Sequence, residues 1–192
     1  YSMPDICGKF RPLMKQVDRS IDWSRDSTET VLSKIRCADG FPGVLDEMAG
    51  KPLYLFDAQA EATLQGEPGA LIARSGPAIC RATVDGAVWI GHLKDKAGEH
   101  PFKLPATQVL KEAVATLPET DQGYRDIWYE QKGAVGYLHF NFYNGAMSTS
   151  QCQRLCAAFI KARAQETKVI VLMGGADYWS NGLHLNVIEA AD

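Results

Sequence analysis

The chain alternates short apolar runs of strand type with three stretches of helical spacing. The last run is the plainest. Val169-Ile-Val-Leu-Met173 is aliphatic throughout, stops at Gly174-Gly175 and gives way to a polar loop. It is too short for a helix and reads as a fully buried strand. Upstream, 134–142 alternates enough to be a second strand, and Asn144-Gly-Ala-Met-Ser148 reads as a turn. Ser148 with Gln151 forms a capping box. Cys152, Leu155, Cys156, Phe159 and Ile160 follow at i, i+3, i+4, i+7 and i+8, the stripe of an amphipathic helix. Strand, helix, strand at this spacing predicts a right-handed βαβ unit.

The first half of the chain has a different rhythm. Asp26 with Glu29 predicts a helix start, Val31, Leu32 and Ile35 mark its apolar face, and Gly40 is its stop signal. From Lys51 to Leu104 four short β-type runs follow, at 52–56, 69–73, 78–84 and 87–90. Glu67-Pro-Gly69, Ser75-Gly76 and Asp85-Gly86 separate them, and Asp85-Gly86 between two runs is a hairpin signal. Several short strands joined by tight turns suggest a small barrel. A helix is predicted over 107–117, with Val109, Leu110, Val114 and Leu117 on one side and Pro118 ending it. Residues 1–25 lack periodicity and read as a linker. Residues 118–132 read as a connector whose Tyr124, Trp128 and Tyr129 pack onto a neighbour. The expected fold class is mixed, a small open β-barrel (26–117) followed by the βαβ segment (133–192).

Composition narrows the function classes. At 192 residues the chain is one or two domains, with an ordinary 46% hydrophobic and 22% charged content. No apolar run approaches the roughly 20 residues of a membrane helix. Net charge is −3, and residues 1–132 hold 16 Lys/Arg against 19 Asp/Glu. That balance speaks against a nucleic-acid partner, which needs a clustered basic face. The five cysteines are odd in number and scattered, and Cys152 and Cys156 read as small core residues. A reducing cytoplasm is expected. The four histidines show no ligand spacing, so no metal site is expected. The chain starts at Tyr1 with no signal-peptide pattern, and is expected to be a middle piece of a longer protein.

The chemistry sits after the last strand. Gly182 allows a tight backbone turn, so the amide of Leu183 can point into a cleft instead of a ladder. A free backbone N–H aimed at a carbonyl oxygen is half of an oxyanion hole. Trp179-Ser-Asn-Gly-Leu-His-Leu185 resembles the loop of the crotonase (enoyl-CoA hydratase/isomerase) superfamily, which reads roughly Phe-Ser-Ala-Gly-Ala-Asp-Leu. Asn144-Gly-Ala-Met-Ser148 is similar to the Asn-Ala-Leu/Met-Ser turn of that superfamily. The resemblance implies an acyl-CoA substrate, Gly182 and Leu183 as the oxyanion donor, and Asn181 and Leu185 as part of the CoA thioester loop. His184 departs from the family, where an acidic residue is common. It is a candidate contact to the acyl group or to a catalytic carboxylate; a loop histidine bonded to backbone is the alternative. Asn181 caps the following helix or reaches the pocket, and Trp179 is expected to pack as core.

A second resemblance covers about residues 10–105. Arg11-Pro12, Ile21-Asp22-Trp23, Phe41-Pro42-Gly43 and Pro68-Gly69 look like the C-terminal domain of methionyl-tRNA formyltransferase, which implies an open OB-like barrel. A barrel of this kind followed by a crotonase-type unit resembles the HypX/HoxX family of hydrogenase maturation factors, whose motif near Trp-Ser-Asn-Gly-Ile-His-Leu-Asn is matched by Trp179 to Asn186. That resemblance implies formyl transfer from 10-formyltetrahydrofolate to coenzyme A, then release of carbon monoxide from formyl-CoA for a nickel–iron hydrogenase. The chain alone would be inactive, would hold neither cofactor tightly, and would tend to self-associate. A tRNA-binding module and an ordinary hydratase or isomerase are the alternatives.

Overall fold

Ser27 opens the first long helix, one residue later than the spacing of Asp26 and Glu29 places it. In the computed structural model its hydroxyl accepts the Thr30 amide at 3.2 Å, which satisfies one orphan donor of the first turn. The structure describes residues 8–98, 102–121 and 123–191. Tyr1 to Cys7, His100 and Asp192 lie outside them. Helix α1 (Thr28–Cys37) buries Val31, Leu32 and Ile35, as the periodicity predicts. It lies on a six-stranded antiparallel sheet.

The strands of that sheet are β1 (Val44–Met48), β2 (Lys51–Glu61), β3 (Leu71–Ser75), β4 (Ala78–Ala82), β5 (Ala87–Asp95) and β6 (Leu104–Pro105). Their order is β1-β2-β5-β4-β3, with β6 on β5. The β4–β5 hairpin is present and turns over Thr83–Gly86, with the Thr83 amide donating to the Gly86 carbonyl at 2.9 Å. Strand β1 has no counterpart in the sequence reading. It pairs with β2 through a two-residue turn, Ala49-Gly50, in which both φ are positive (51° and 73°), the geometry that suits the twist of a hairpin.

Strand β2 runs five residues past Phe56, where the apolar pattern ends. Leu53 and Leu55 face the main core before Asp57, and Ala58 faces it after. On β5, Val88 and Ile90 face that core before Gly91, and Leu93 faces it after. Both strands therefore change face at the Asp57–Gly91 level, so strict alternation fails there. Asp57 adopts φ 60°, an uncommon conformation that Asp tolerates better than most residues.

Two apolar clusters hold this unit. The larger packs α1 and the segment after β6 on one face, through Ile35, Leu53, Leu55, Ile79, Ile90 and Leu93. The smaller, on the other face, centres on Trp89 with Ala73, Cys80, Ala87 and Tyr124. The predicted helix at 107–117 is broken. Lys111 takes φ 42° and splits it into α2 (Ala106–Leu110) and α3 (Glu112–Ala115). The break lets Ala106, Leu110 and Val114 all reach the large cluster, so tertiary packing overrides local propensity.

Residues 16–25 are more than a linker. Gln16 to Arg19 form one 3-10 turn. Gln16 bonds Gly43 and Leu45, and the Trp23 indole N–H donates to Asp46 at 2.8 Å. The Arg81 guanidinium lies 4.0 Å over the Trp23 ring. Side-chain bonds and a single 3-10 turn pin this segment, so it leaves no periodicity to read.

The connector expected over 118–132 contains a strand. Strand β7 (Ile127–Lys132) pairs antiparallel with β8 (Val135–Phe140), and β8 pairs parallel with β9 (Val169–Met173). Helix α4 (Thr149–Arg163) crosses between β8 and β9, and its Ser148–Gln151 capping box is formed in both directions. Its expected apolar face is not the buried one. Gln151 and Ala162 are buried, whereas Cys152, Cys156, Phe159 and Ile160 are exposed, Ile160 by 67%. Three strands cover less of the helix than its apolar stripe spans, so the two cysteines are not core residues. Val169, Leu172 and Met173 on the edge strand β9 are exposed too. Helix α5 (Leu185–Glu189) ends the described chain.

Candidate functional site at the junction of the two sheets

The loop from Gly174 to His184 folds back onto the turn before α4. The Asn181 amide donates to the Gly145 carbonyl at 2.7 Å, the Met147 amide to Gly182 at 2.9 Å and the His184 amide to Met147 at 3.0 Å. Asn144 (φ 53°) and Gly145 (φ 67°) make the tight turn that presents these groups. Gly182 has φ 85°, and a β-carbon built on it would meet no atom within 4 Å. Conformation, not space, asks for glycine there.

Met147 and Leu183 form a parallel bridge. Its two hydrogen bonds run from Met147 to the residues on either side of Leu183. The N–H and C=O of Leu183 itself therefore point away from Met147. The carbonyl accepts from Leu185 at 3.0 Å. The amide of Leu183 has no acceptor among the described residues. The Leu183 side chain is 67% exposed, so the backbone is what this position offers.

The other sequence candidates are placed differently from one another. Leu185 is exposed on the first turn of α5. Asn181 does not cap that helix; His184 does, its Nδ1 accepting from the Val187 amide at 3.4 Å. Trp179 is largely exposed and meets Phe140 edge-on at 5.2 Å, because the three-stranded sheet offers little to cover it. His139 stacks on Trp128 across β7 and β8 at 4.5 Å.

His184 is the residue the fold brings to a partner. It is 7% exposed, and its Nε2 lies 3.3 Å from Nε2 of His92 on β5. His92 is 2% exposed and its Nδ1 is 2.9 Å from Oδ2 of Asp57. The Tyr124 hydroxyl donates to the same oxygen at 2.6 Å. Tyr143 stacks on the His92 ring at 4.6 Å. Burial, then the neighbouring His92, lowers the pKa of His184 below its ordinary value. Burial and the Asp57 carboxylate raise that of Tyr124. The line Asp57–His92–His184 was invisible in the sequence, since its members are 35 and 92 positions apart.

Two clefts flank this line. One, about 480 Å³, is lined by His92, His184, Ser148, Ser150 and Arg154. The other, about 880 Å³, lies between Arg36, Asp39 and Asp57 on one side and Asn141, Gly175 and Tyr178 on the other. Arg154 holds buried Asp126 with two bonds, at 2.8 and 2.5 Å, which ties the first half of α4 to the segment just before β7. Among the described residues no group of three or more His, Cys, Asp or Glu side chains could hold a metal ion.

Residues 13–111 match the family described as formyl transferase, C-terminal domain. The chain belongs to that family. It is also a homologue of the hydrogenase maturation factors: it is 50% identical over 185 residues to hydrogenase maturation factor HoxX of Bradyrhizobium diazoefficiens, covering 96% of this chain and 32% of that protein. The crystal structure of HypX from Aquifex aeolicus in complex with tetrahydrofolic acid superposes with a TM-score of 0.90 at 41% identity, over 95% of this chain and 34% of that one. Methionyl-tRNA formyltransferase of Thermotoga neapolitana is 37% identical over 103 residues, 53% of this chain and 29% of that protein. The chain spans about a third of the length of these relatives.

Proposed function

We propose that this chain is the central part of a two-step hydrogenase maturation enzyme. A formyl group from 10-formyltetrahydrofolate passes to coenzyme A, and formyl-CoA then releases carbon monoxide for a nickel–iron hydrogenase site. The observation that carries the reading is the unengaged Leu183 amide, set by Gly182 at the exit of a βαβ unit that follows a formyl transferase C-terminal domain. In this reading the first sheet is an OB-like open barrel and residues 133–192 open a crotonase-like domain. The relative solved with tetrahydrofolic acid supports folate as the formyl source.

The Leu183 N–H donates to the thioester oxygen, where negative charge grows in the transition state. One such donor contributes about 3–4 kcal/mol. Asn181 and Leu185 flank it as the loop that meets the thioester. No residue of this chain is assigned to folate, and the chain alone is expected to catalyse neither step. No helix among the described residues is long and apolar enough to cross a membrane, and the exposed free thiols Cys37, Cys152 and Cys156 suit a reducing cytoplasm. The test is a protein of the relatives' full length that carries this segment, given carbon-13 formyl-folate and coenzyme A. Labelled formyl-CoA and then labelled carbon monoxide are expected; carbon monoxide formed equally well without coenzyme A would overturn the reading.

A tRNA-holding role is the second reading, favoured by the similarity to methionyl-tRNA formyltransferase. The first 132 residues carry no basic excess, and phosphate binding needs one. By fluorescence anisotropy at physiological salt, tRNA is expected to bind only in the non-specific range, with Kd of about 10⁻⁶ M or weaker. Tighter binding with a steep salt slope would put the tRNA reading first.

The exposed stripe of α4 and the bare edge of β9 leave a broad apolar surface. Such surfaces invite association. Light scattering of the isolated chain is expected to show dimers or larger species that grow with concentration. A monodisperse monomer whose segment 133–192 resists proteolysis would count against it.

A further inference from the structure

We propose that Asp57 and His92 of the first sheet are positioning residues for the Leu183 amide, acting through His184. The inference rests on the Leu183 reading above. His184 follows Leu183, and its amide bonds the Met147 carbonyl while the Met147 amide bonds the Gly182 carbonyl, so a fixed His184 ring holds one end of the short bridge that sets the 182–183 peptide and its Leu183 N–H. The Nδ1 atom of His184 accepts from the Val187 amide, so its proton sits on Nε2. Nε2 of His92 lies opposite at 3.3 Å. One proton fits that contact, so His92 accepts it and carries its own proton on Nδ1. That Nδ1–H donates to Asp57 at 2.9 Å. Each partner thus selects the tautomer of the next. The direction of the line is set by a carboxylate at one end and a helix-capping bond at the other.

The first sheet is built around this line. Asp57 holds a positive φ in mid-strand, a conformation that persists where the surroundings over-determine it. A side chain at Gly91 opposite would overlap the Asp57 carboxylate and the Tyr124 hydroxyl. The Asp57 amide is held by Asp39 at 2.7 Å, and the His92 ring contacts both Tyr143 and His184. A second bond crosses the same junction: the Lys103 amide donates to the Asn186 side chain at 3.1 Å. His184 and Asn186 therefore both dock the loop on the first sheet, on either side of Leu185. His184, the position where this loop departs from the crotonase pattern, serves as an anchor and not as a group aimed at substrate.

The test compares His92→Leu, His92→Gln, Asp57→Asn and Gly182→Val in the full-length protein. Leu removes the acceptor facing His184; Gln keeps one, and its melting temperature beside that of Leu controls for folding. Asn keeps the backbone conformation at 57 and removes the charge. His92→Leu is expected to lower kcat for formyl-CoA by about tenfold to 10²-fold with KM nearly unchanged. Gln should restore most of the loss, and Asp57→Asn should fall between them. Nitrogen-15 spectra of the native protein should show His184 protonated on Nε2 and His92 on Nδ1. The Leu183 amide resonance should move in the Leu variant and return in Gln. Turnover unaltered by His92→Leu, while Gly182→Val lowers it by about 10²–10³-fold, would sink the positioning role alone. A silent Gly182→Val would instead sink the oxyanion reading, and the positioning role would then be judged on the Leu183 resonance: an unmoved resonance overturns it.

Discussion

Gly182→Val in the full-length protein is expected to slow carbon monoxide release from formyl-CoA by about 10²–10³-fold, with formyl transfer from folate unchanged. The cause is conformational. A β-carbon at position 182 would meet no atom within 4 Å, so space around the backbone is not what asks for glycine. The backbone, however, sits at φ 85°, which a β-branched residue strongly disfavours. Relaxing that angle turns the 182–183 peptide, and with it the Leu183 N–H. The bond from the Met147 amide to the Gly182 carbonyl resists the turn only from the other side. Leu183→Ala is the matching control. Its side chain is mostly in solvent, so truncation should change turnover little. The two half-reactions are assayed separately, because a misfolded protein loses both. Unchanged carbon monoxide release from folded Gly182→Val would make this a structural loop.

The signals that could be read in advance are local ones. Ser148 and Gln151 announce their capping box because both partners lie within one turn. Gly182 and Asn144-Gly145 announce positive φ because residue type and conformation coincide. The features that stayed hidden depend on distant partners. Strand β1 carries Asp46 and Glu47, and only its pairing with β2 and the contacts of Asp46 to Trp23 and Arg81 explain them. Strand β7 ends in Glu130-Gln131-Lys132, all exposed at a sheet edge, so no apolar alternation marks it.

The junction is the clearest case. Asp57 looks like the residue that ends a strand, and His92 like one more polar residue in β5. Only the fold reveals that both strands change face at this level, which turns a carboxylate and an imidazole toward a histidine 92 positions away. The stripe of α4 misled in the opposite direction. Periodicity counts apolar residues on a face, and it carries no information on whether a three-stranded sheet is wide enough to cover them.

Trp89→Ala should destabilise the first sheet by about 3–5 kcal/mol, read as the free energy of denaturant unfolding. Trp89 is fully buried. It is the largest side chain of the smaller cluster, whose other buried members are alanines, Cys80 and Tyr124, with Leu64 and Ile72 packed partly buried against it. The buried alanines and Cys80 around it are too small to fill the space that it leaves, so a cavity remains and its cost adds to the lost transfer energy. The indole N–H also donates to Glu61 at 2.5 Å, but Glu61 has other donors in Thr63 and Leu64. Trp89→Phe should therefore cost far less, about 1–2 kcal/mol, by keeping a ring and losing one bond. Tyr124 rests on the same cluster and bonds Asp57, so the Ala variant should also disturb the His92 resonances while Phe leaves them nearly in place. A loss below about 1 kcal/mol for Trp89→Ala would mean that this face of the sheet contributes little, with stability resting on the α1 side.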